Sequence, residues 1–407
     1  MVSVAIMGHG VVGSGVAEIL LTHKQKLFSN LGEEIYVKRI LDLREFPDSP
    51  VADRFTKSFD DIINDIEIRV VAEVMGGVNP AYDYVKRCLK AGKSVVTSNK
   101  ELVASHGAEL LAIAKEENVN FLFEASVGGG IPIIRPMNQC LVANIVNEVA
   151  GILNGTTNFI LTKMIQEGMQ FDDALSLAQE LGFAERNPAA DIEGHDACRK
   201  ICILASLAFG KHVYPDSVHT EGITDITLND VKLAEKLGYV IKLIGKVKKL
   251  DDGNIDILTA PMLVPFKSQL SNIDNEFNGI MVRGDCTGDV VFYGKGAGKL
   301  PTASAVVADI VDCCKHLKAR RFIFWADGDG KNIISWKDSV SAMFVRVSGE
   351  DAALKAEEVF GKVRFAGSTG ELALITEPMR YGDLEDKCAA LEEKGVKVLS
   401  KIRVGDI

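Results

Sequence analysis

Three glycines constrain the fold of this chain more than any other feature. Val2–Met7 is a short β-branched run, Gly8-His9-Gly10-Val11-Val12-Gly13 follows directly, and residues 11–23 then carry apolar side chains at helical spacing. Strand, tight turn and helix in that order make half of a βαβ unit. Gly8 permits the turn, Gly10 lets the backbone approach a pyrophosphate, and Gly13 lets helix and strand pack closely. The first amides of the new helix, those of Val11 and Val12 included, offer unpaired N–H groups and positive dipole charge to phosphates. A glycine turn made for packing alone is the competing reading, and the flanking strand and helix favour the dinucleotide site. His9 reads as a bystander within it.

Apolar runs at residues 35–41, 70–74, 94–97 and 120–123 alternate with helical segments such as 80–91 and 107–117, which implies a doubly wound parallel sheet of Rossmann type. Asp42 closes the second strand, where a carboxylate accepts hydrogen bonds from a ribose 2′-hydroxyl and favours NAD; Arg44, two residues on, would instead receive a 2′-phosphate. NAD and NADP both remain open at this point, as does a solvated loop pair.

At 407 residues the chain exceeds what one hydrophobic core supports. Lys and Arg total 46 against 56 Asp and Glu, and a net charge of −10 gives no basic field for nucleic acid or an anionic membrane surface. Small-molecule chemistry is the default. The eight cysteines form no CxxC pattern, and Cys198 and Cys202 sit one helical turn apart in an apolar run, which fits a reducing compartment. No signal-peptide pattern opens the chain, and its most apolar stretch, residues 201–210, is too short to span a bilayer. A cytoplasmic location is expected.

Beyond Pro132 and Pro136 the pattern changes to a strand at 146–153, helices at 157–168, 172–181 and 193–209, and Val/Ile-rich strands at 240–247 and 255–263 around an Asp252-Gly253 turn. This reads as an α+β domain whose sheet pairs between subunits in a homodimer. A long amphipathic helix at 302–316 and a loop-rich connection at 320–341 lead to strand, helix, two short strands, helix and strand between 341 and 404, a ferredoxin-like βαββαβ order common in small-ligand sensing modules. The expected domains are a dinucleotide-binding domain over 1–135 with 300–320 packing back on it, a substrate-binding, catalytic and dimerisation domain over 136–299, a linker over 321–340, and the βαββαβ domain over 341–407. Deleting that last domain is expected to leave an active body.

Residues 185–200 read Glu-Arg-Asn-Pro-Ala-Ala-Asp-Ile-Glu-Gly-His-Asp-Ala-Cys-Arg-Lys and lead into an apolar helix. Lys200 shares a helical face with Asp196 one turn before it and with Leu204 and Leu207 after it, so its ammonium leaves water partly while keeping a carboxylate within reach. Asp191 is placed at the start of that helix, and Glu185 on a loop bracketed by Gly182 and Pro188. The residues alone also allow a capped helix with an i,i+4 ion pair.

Taken together, several segments resemble homoserine dehydrogenase: the glycine turn, Thr97-Ser98-Asn99-Lys100, Phe123-Glu124-Ala125 with Gly128-Gly129-Gly130, residues 151–158 (Gly-Ile-Leu-Asn-Gly-Thr-Thr-Asn), the carboxylate and lysine cluster, and Tyr293-Gly294-Lys295-Gly296-Ala297-Gly298 followed by Thr302-Ala303-Ser304-Ala305. The likeness runs from Met1 to about His316. It implies reversible, NAD(P)-dependent reduction of L-aspartate 4-semialdehyde to L-homoserine, a step toward threonine, methionine and isoleucine. By the same resemblance Lys200 exchanges a proton with the substrate oxygen, Asp191 and Asp196 position it, Glu185 binds the substrate ammonium, and Lys100 is a second cation beside nicotinamide and substrate. Gly76, Gly182 and Gly298 would line the cofactor. A monovalent cation such as Na⁺ would be held at Glu124, Val127, Gly129 and Ile131, mostly through carbonyl oxygens.

Two features depart from the family pattern. Glu185-Arg186-Asn187-Pro188 stands where many relatives carry Glu-Ala-Asp-Pro, which exchanges a carboxylate for a guanidinium near the substrate loop. The C-terminal unit has the element order of an ACT regulatory domain without the Asp-Xaa-Pro-Gly type turn that often contacts an amino-acid effector. No kinase-like segment precedes Met1, so fusion to aspartokinase is not expected. Two other readings remain: a dehydrogenase of a related amino-acid semialdehyde, and a nicotinamide-sensing regulator, which leaves Glu185, Asp191 and Lys200 without a purpose.

Overall fold

All six residues of β1 (Val2–Met7) are buried, as a strand covered on both faces requires. With β2 (Ile35–Leu41), β3 (Phe55–Thr56), β4 (Ile68–Glu73), β5 (Ser94–Thr97) and β6 (Phe121–Leu122) it forms a parallel sheet ordered β3-β2-β1-β4-β5-β6. The order reverses between β1 and β4, and in such sheets the crevice outside the carboxyl ends at that reversal is where ligands bind. Helices Val11–Thr22 and Lys299–Lys315 pack together, as do Ala81–Lys90 and Lys100–Glu116. This computed structural model describes residues 1–368 and 370–407.

The sheet belongs to a unit made of Met1–Ile145, Cys202–Pro215 and Gly294–Gly328. Residues 202–215, far along the chain, join it. His212 accounts for it. Its Nε2 lies 2.9 Å from the Ala104 carbonyl, Trp325 Nε1 donates to its Nδ1 at 2.9 Å, and its backbone N–H donates to the Ala326 carbonyl.

The second unit comprises Val146–Ile201, Asp216–Tyr293 and Asp329–Ile407. Its strands are β7 (Val146–Ile152), β8 (His219–Thr220), β9 (Tyr239–Lys249), β10 (Ile255–Pro265), β11 (Phe277–Gly284), β12 (Gly288–Lys295), β13 (Val340–Ser341), β14 (Met343–Ser348), β15 (Arg364–Ser368), β16 (Glu371–Ile375), β17 (Met379–Arg380) and β18 (Lys397–Val404). The large sheet runs β12-β11-β7-β9-β10-β18-β14-β16-β15, with β8 beside β10. The β9–β10 hairpin closes at the expected turn, where Gly253 takes φ +85°. The β11–β12 pair goes unread in the sequence although Ile280-Met281-Val282 and Val290-Val291-Phe292-Tyr293 are β-prone runs, because β12 is exposed or half-buried throughout and lacks a clean alternation.

The C-terminal strands and helices run in βαββαβ order, with helices Ala352–Phe360 and Tyr381–Glu393, apart from the two-residue β17, which pairs with β13 outside that sheet. Thr369, inside the segment read as two short strands, lies outside the described residues. β14 pairs antiparallel with both β16 and β18, and β18 pairs parallel with β10 through Met262↔Arg403 and Leu263↔Val404. Residues 341–404 therefore extend the sheet of residues 146–265. Apolar residues of β7, β9, β10 and β11 fill one core, and those of β14, β16 and the two C-terminal helices fill another. Among the described residues no helix is long and apolar enough to cross a membrane.

Candidate active site

In the first unit, the residues singled out from sequence gather at the carboxyl ends of the parallel strands. Gly8 takes φ +98°, and a Cβ at Gly13 would lie 2.0 Å from the Gly8 carbonyl oxygen, so glycine is required at both by the turn itself. Gly10 differs. It has φ −79°, which any L-residue adopts, and a Cβ there would meet nothing within 4 Å. Its lack of a side chain leaves space above the helix, next to a cavity of about 450 Å³ lined by Gly8, Gly10, Asp42, Arg44, Met75 and Tyr84 among others. Gly10 caps the helix without a side-chain hydrogen bond, and the first turn carries no acidic residue. The amides of Val11, Val12 and Gly13 are thus presented to that space as a diphosphate would need them.

Asp42 accepts the His9 backbone N–H at 2.8 Å and a two-pronged contact from Arg44 at 2.9 and 3.0 Å. The Arg44 guanidinium holds the Asp42 carboxyl well below the usual carboxylate range. The two candidate ribose contacts are therefore one bonded pair. The His9 ring packs edge-on against Phe46 and Phe55, while its backbone holds Asp42 in place.

Glu73, Thr97 and Asn99 organise the neighbouring loops, and sequence reasoning missed all three roles. Glu73 is fully buried at the end of β4, where its carboxylate accepts Thr97 Oγ1 at 2.6 Å and the Met75 N–H at 2.8 Å. Burial pushes its pKa up. Asn99 caps the helix Lys100–Glu116 by accepting the Leu102 N–H, and it donates to the Gly77 carbonyl at 2.6 Å. Gly76, with φ +82°, lies inside the loop so held, and half-buried Lys100 opens the helix that Asn99 caps. The available signal was a lone glutamate within the apolar run Val70-Val71-Ala72-Glu73-Val74. Gly298, at φ +118°, is the cap of the helix Lys299–Lys315.

Around the expected cation ligands, the Glu124 carboxylate accepts three backbone N–H groups, those of Ile133 at 2.6 Å and of Ile134 and Arg135 at 2.8 Å each. Gly129 takes φ +57°, and a Cβ there would lie 2.3 Å from the Gly296 carbonyl. The Ile131 N–H donates to the Gly128 carbonyl, which tightens the Val127–Ile131 turn. Among the described residues no cluster of three or more His, Cys, Asp or Glu side chains could hold a metal.

In the second unit, Lys200 is 8% exposed and Asp196 4%. Lys200 Nζ donates to Asp196 Oδ2 at 2.7 Å and to the Leu153 carbonyl at 2.8 Å. Asp191 is not at the start of the same helix, as its sequence position suggested. It sits in the one-turn helix Ala189–Ile192, and Gly194, at φ +86°, breaks the chain before His195–Phe209 begins. Asn154 rejoins the two pieces: its Nδ2 donates to Asp191 Oδ1 at 2.7 Å and to Asp196 Oδ2 at 2.8 Å. Glu185 stands exposed on the preceding loop, near exposed Gly182, and its carbonyl accepts from Gln179. Thr156 Oγ1 anchors that loop at the Phe183 carbonyl, 2.7 Å away.

The chain matches the family model described as "Homoserine dehydrogenase, NAD binding domain" over residues 8–124 and that described as "Homoserine dehydrogenase" over residues 132–311. It is 41% identical over 356 residues to homoserine dehydrogenase of Bacillus subtilis, covering 86% of this chain and 82% of that one. The crystal structure of a homoserine dehydrogenase from Thiobacillus denitrificans superposes with a TM-score of 0.90 at 33% identity, over 100% of this chain and 98% of the other. A hyperthermophilic archaeal homoserine dehydrogenase in complex with NADPH gives 0.65 at 27% identity, over 77% of this chain and 97% of that one. Glycine turn, buried lysine and relatives spanning both units agree, and the chain belongs to the homoserine dehydrogenase family of NAD(P)-dependent oxidoreductases.

Proposed function

We propose that this protein interconverts L-aspartate 4-semialdehyde and L-homoserine, with Lys200 as the group that exchanges a proton with the substrate oxygen. The observation that carries this reading is the buried ammonium of Lys200, held by Asp196 and the Leu153 carbonyl. An aldehyde oxygen gains negative charge as hydride reaches its carbon, so a proton donor there stabilises the transition state more than the ground state. The nicotinamide supplies or accepts the hydride. Asp196 keeps the amine charged and oriented, Asp191 adds negative charge beside it, and Glu185 binds the substrate ammonium from its exposed loop. Lys100 serves as a second cation.

Gly8, Gly10, Val11, Val12, Gly13, Gly76, Gly182 and Gly298 are assigned to the cofactor, with Asp42 and Arg44 at its ribose end. The open space above Gly10 supports this assignment for the diphosphate. Either NAD or NADP fits the residues present, since the Asp42–Arg44 pair offers a carboxylate and a guanidinium together. A Na⁺ ion at the Glu124, Val127, Gly129 and Ile131 carbonyls would stiffen the turn that follows β6.

We further read residues 1–135 with 300–320 as the cofactor domain, 136–299 as the catalytic and dimerisation domain, and 341–407 as an ACT-like regulatory domain joined by the 321–340 linker. A cytoplasmic homodimer is the expected form. The deciding experiment follows reduced-nicotinamide absorbance with homoserine and NAD, then homoserine and NADP, beside a panel of other hydroxy amino acids. Turnover confined to homoserine supports the reading; equal or greater turnover of another substrate rejects it.

A further inference from the structure

Lys200 and Asp196 are i,i+4 partners on one helix, so their meeting is settled by helical geometry. Asp191 has no such guarantee. Gly194 separates its one-turn helix from the helix of Lys200, and a left-handed glycine between two short segments leaves their relative direction to other contacts.

Asn154 reaches across that break. It follows β7 and caps the helix Gly155–Glu167, its Oδ1 accepting the Thr157 N–H at 2.8 Å. Both hydrogens of its amide are then directed at carboxylates, one at Asp191 and one at Asp196. Each accepting oxygen lies within 2.8 Å of the same nitrogen, which ties Asp191 to the carboxylate that holds the Lys200 ammonium. Asp196 Oδ2 takes Asn154 and Lys200 together, so the amide and the ammonium share one acceptor. Asn154 is 5% exposed. A buried asparagine with every polar group engaged is held in one orientation.

We infer that Asn154 is a positioning residue for the proposed reaction, its amide bridge setting Asp191 and Asp196 around Lys200. The inference rests on the proton role proposed for Lys200. A donor shared between two carboxylates favours the ionised form of both, and Asp196 so held keeps the neighbouring ammonium aimed. Without the bridge, two carboxylates at that spacing repel, and one of them takes up a proton at a higher pH.

Capping and bridging can be separated. Asp and Ser are as effective as Asn at a helix N-cap, and neither carries an amide. Asn154→Ser is therefore expected to melt within a few degrees of the unsubstituted protein, and Asn154→Asp, which sets a third buried carboxylate against Asp191 and Asp196, to melt lower; both are expected to bind nicotinamide normally, while kcat falls by roughly 10- to 100-fold, the usual scale for losing an outer hydrogen-bond partner. The acid limb of the kcat/KM profile is expected to move to higher pH in both, further in Asn154→Asp because a third carboxylate is added. Lys200→Ala is measured alongside. Normal turnover with an unmoved acid limb in both Asn154 variants, beside an impaired Lys200→Ala, overturns the bridge and leaves the Lys200 reading standing. An active Lys200→Ala overturns both.

Discussion

Arg403, near the end of the last strand, donates to the Glu221 carboxylate at 2.6 Å and lies over the Tyr381 ring at 4.5 Å. Glu221 belongs to a loop pressed against the one-turn helix that carries Asp191: the Ile223 N–H donates to the Ile192 carbonyl at 2.8 Å, and a Cβ at Gly222 would lie 2.3 Å from that same oxygen. The C-terminal strand thus braces the backbone next to Asp191. Arg403 is 3% exposed, while Glu221 is half-buried and also keeps His219 at 2.6 Å, so removing the arginine costs about 1 to 3 kcal/mol. Arg403→Met is expected to lower stability by the low end of that range, with a several-fold loss of kcat. A chain ended before Ser341 would also uncover the β10 edge that β18 pairs with. Such a truncation is expected to aggregate rather than leave the active body that the loop-rich connection suggested; recovery of a monodisperse, active truncation by size-exclusion chromatography would contradict this.

Lys200→Ala is expected to reduce turnover by roughly 10²- to 10⁴-fold, the range for losing general acid–base help. Affinity for nicotinamide, read from its fluorescence, is expected to change little, because the glycine turn belongs to the other unit of the chain. Turnover within a few-fold of the unsubstituted protein would remove Lys200 from the proton step.

Much of this was legible in the residues, and what was not has physical causes. Fully buried parallel strands such as Val2–Met7 announce themselves as apolar runs, and Lys200 stood out as a charge on an apolar helical face. Asp191 was misplaced because the break at Gly194 depends on one left-handed residue, which spacing alone does not reveal. The roles of Glu73, Thr97 and Asn154 are not legible in the residues because a polar residue matters there through partners distant in sequence: Glu73 bonds Thr97 across 24 positions, and Asn154 bonds Asp196 across 42. The same holds for 202–215, whose membership of the first unit is fixed at His212 by Ala104 and Trp325.

Gly10→Ala distinguishes a ligand site from a packing turn. The backbone angles suit alanine and nothing in the protein occupies the Cβ position, so folding and melting temperature are expected to stay within a few degrees of the unsubstituted protein. The added methyl group points into the space assigned to the diphosphate, and the dissociation constant for the nicotinamide cofactor is expected to rise by about tenfold or more. Unchanged affinity in a titration calorimeter would mean that the cofactor phosphates lie elsewhere.

His212 gives a prediction about acid. Burial lowers its pKa below the ordinary value of 6.5, so the fold favours the neutral ring. Trp325 Nε1–H donates to Nδ1, and Nε2 then carries the proton given to the Ala104 carbonyl. A second proton at Nδ1 would displace the Trp325 N–H, and Trp325 is 1% exposed. For a group whose folded pKa is depressed, the stabilisation is present above its unfolded pKa and is lost as pH falls through and below it. The melting temperature is therefore expected to fall between about pH 7 and about pH 5, more steeply for the unsubstituted protein than for His212→Gln, which keeps a donor for Ala104 and cannot titrate. Carboxylates elsewhere titrate in both proteins, so the difference between the two slopes isolates the histidine. Parallel slopes would show that protonating His212 is not coupled to folding.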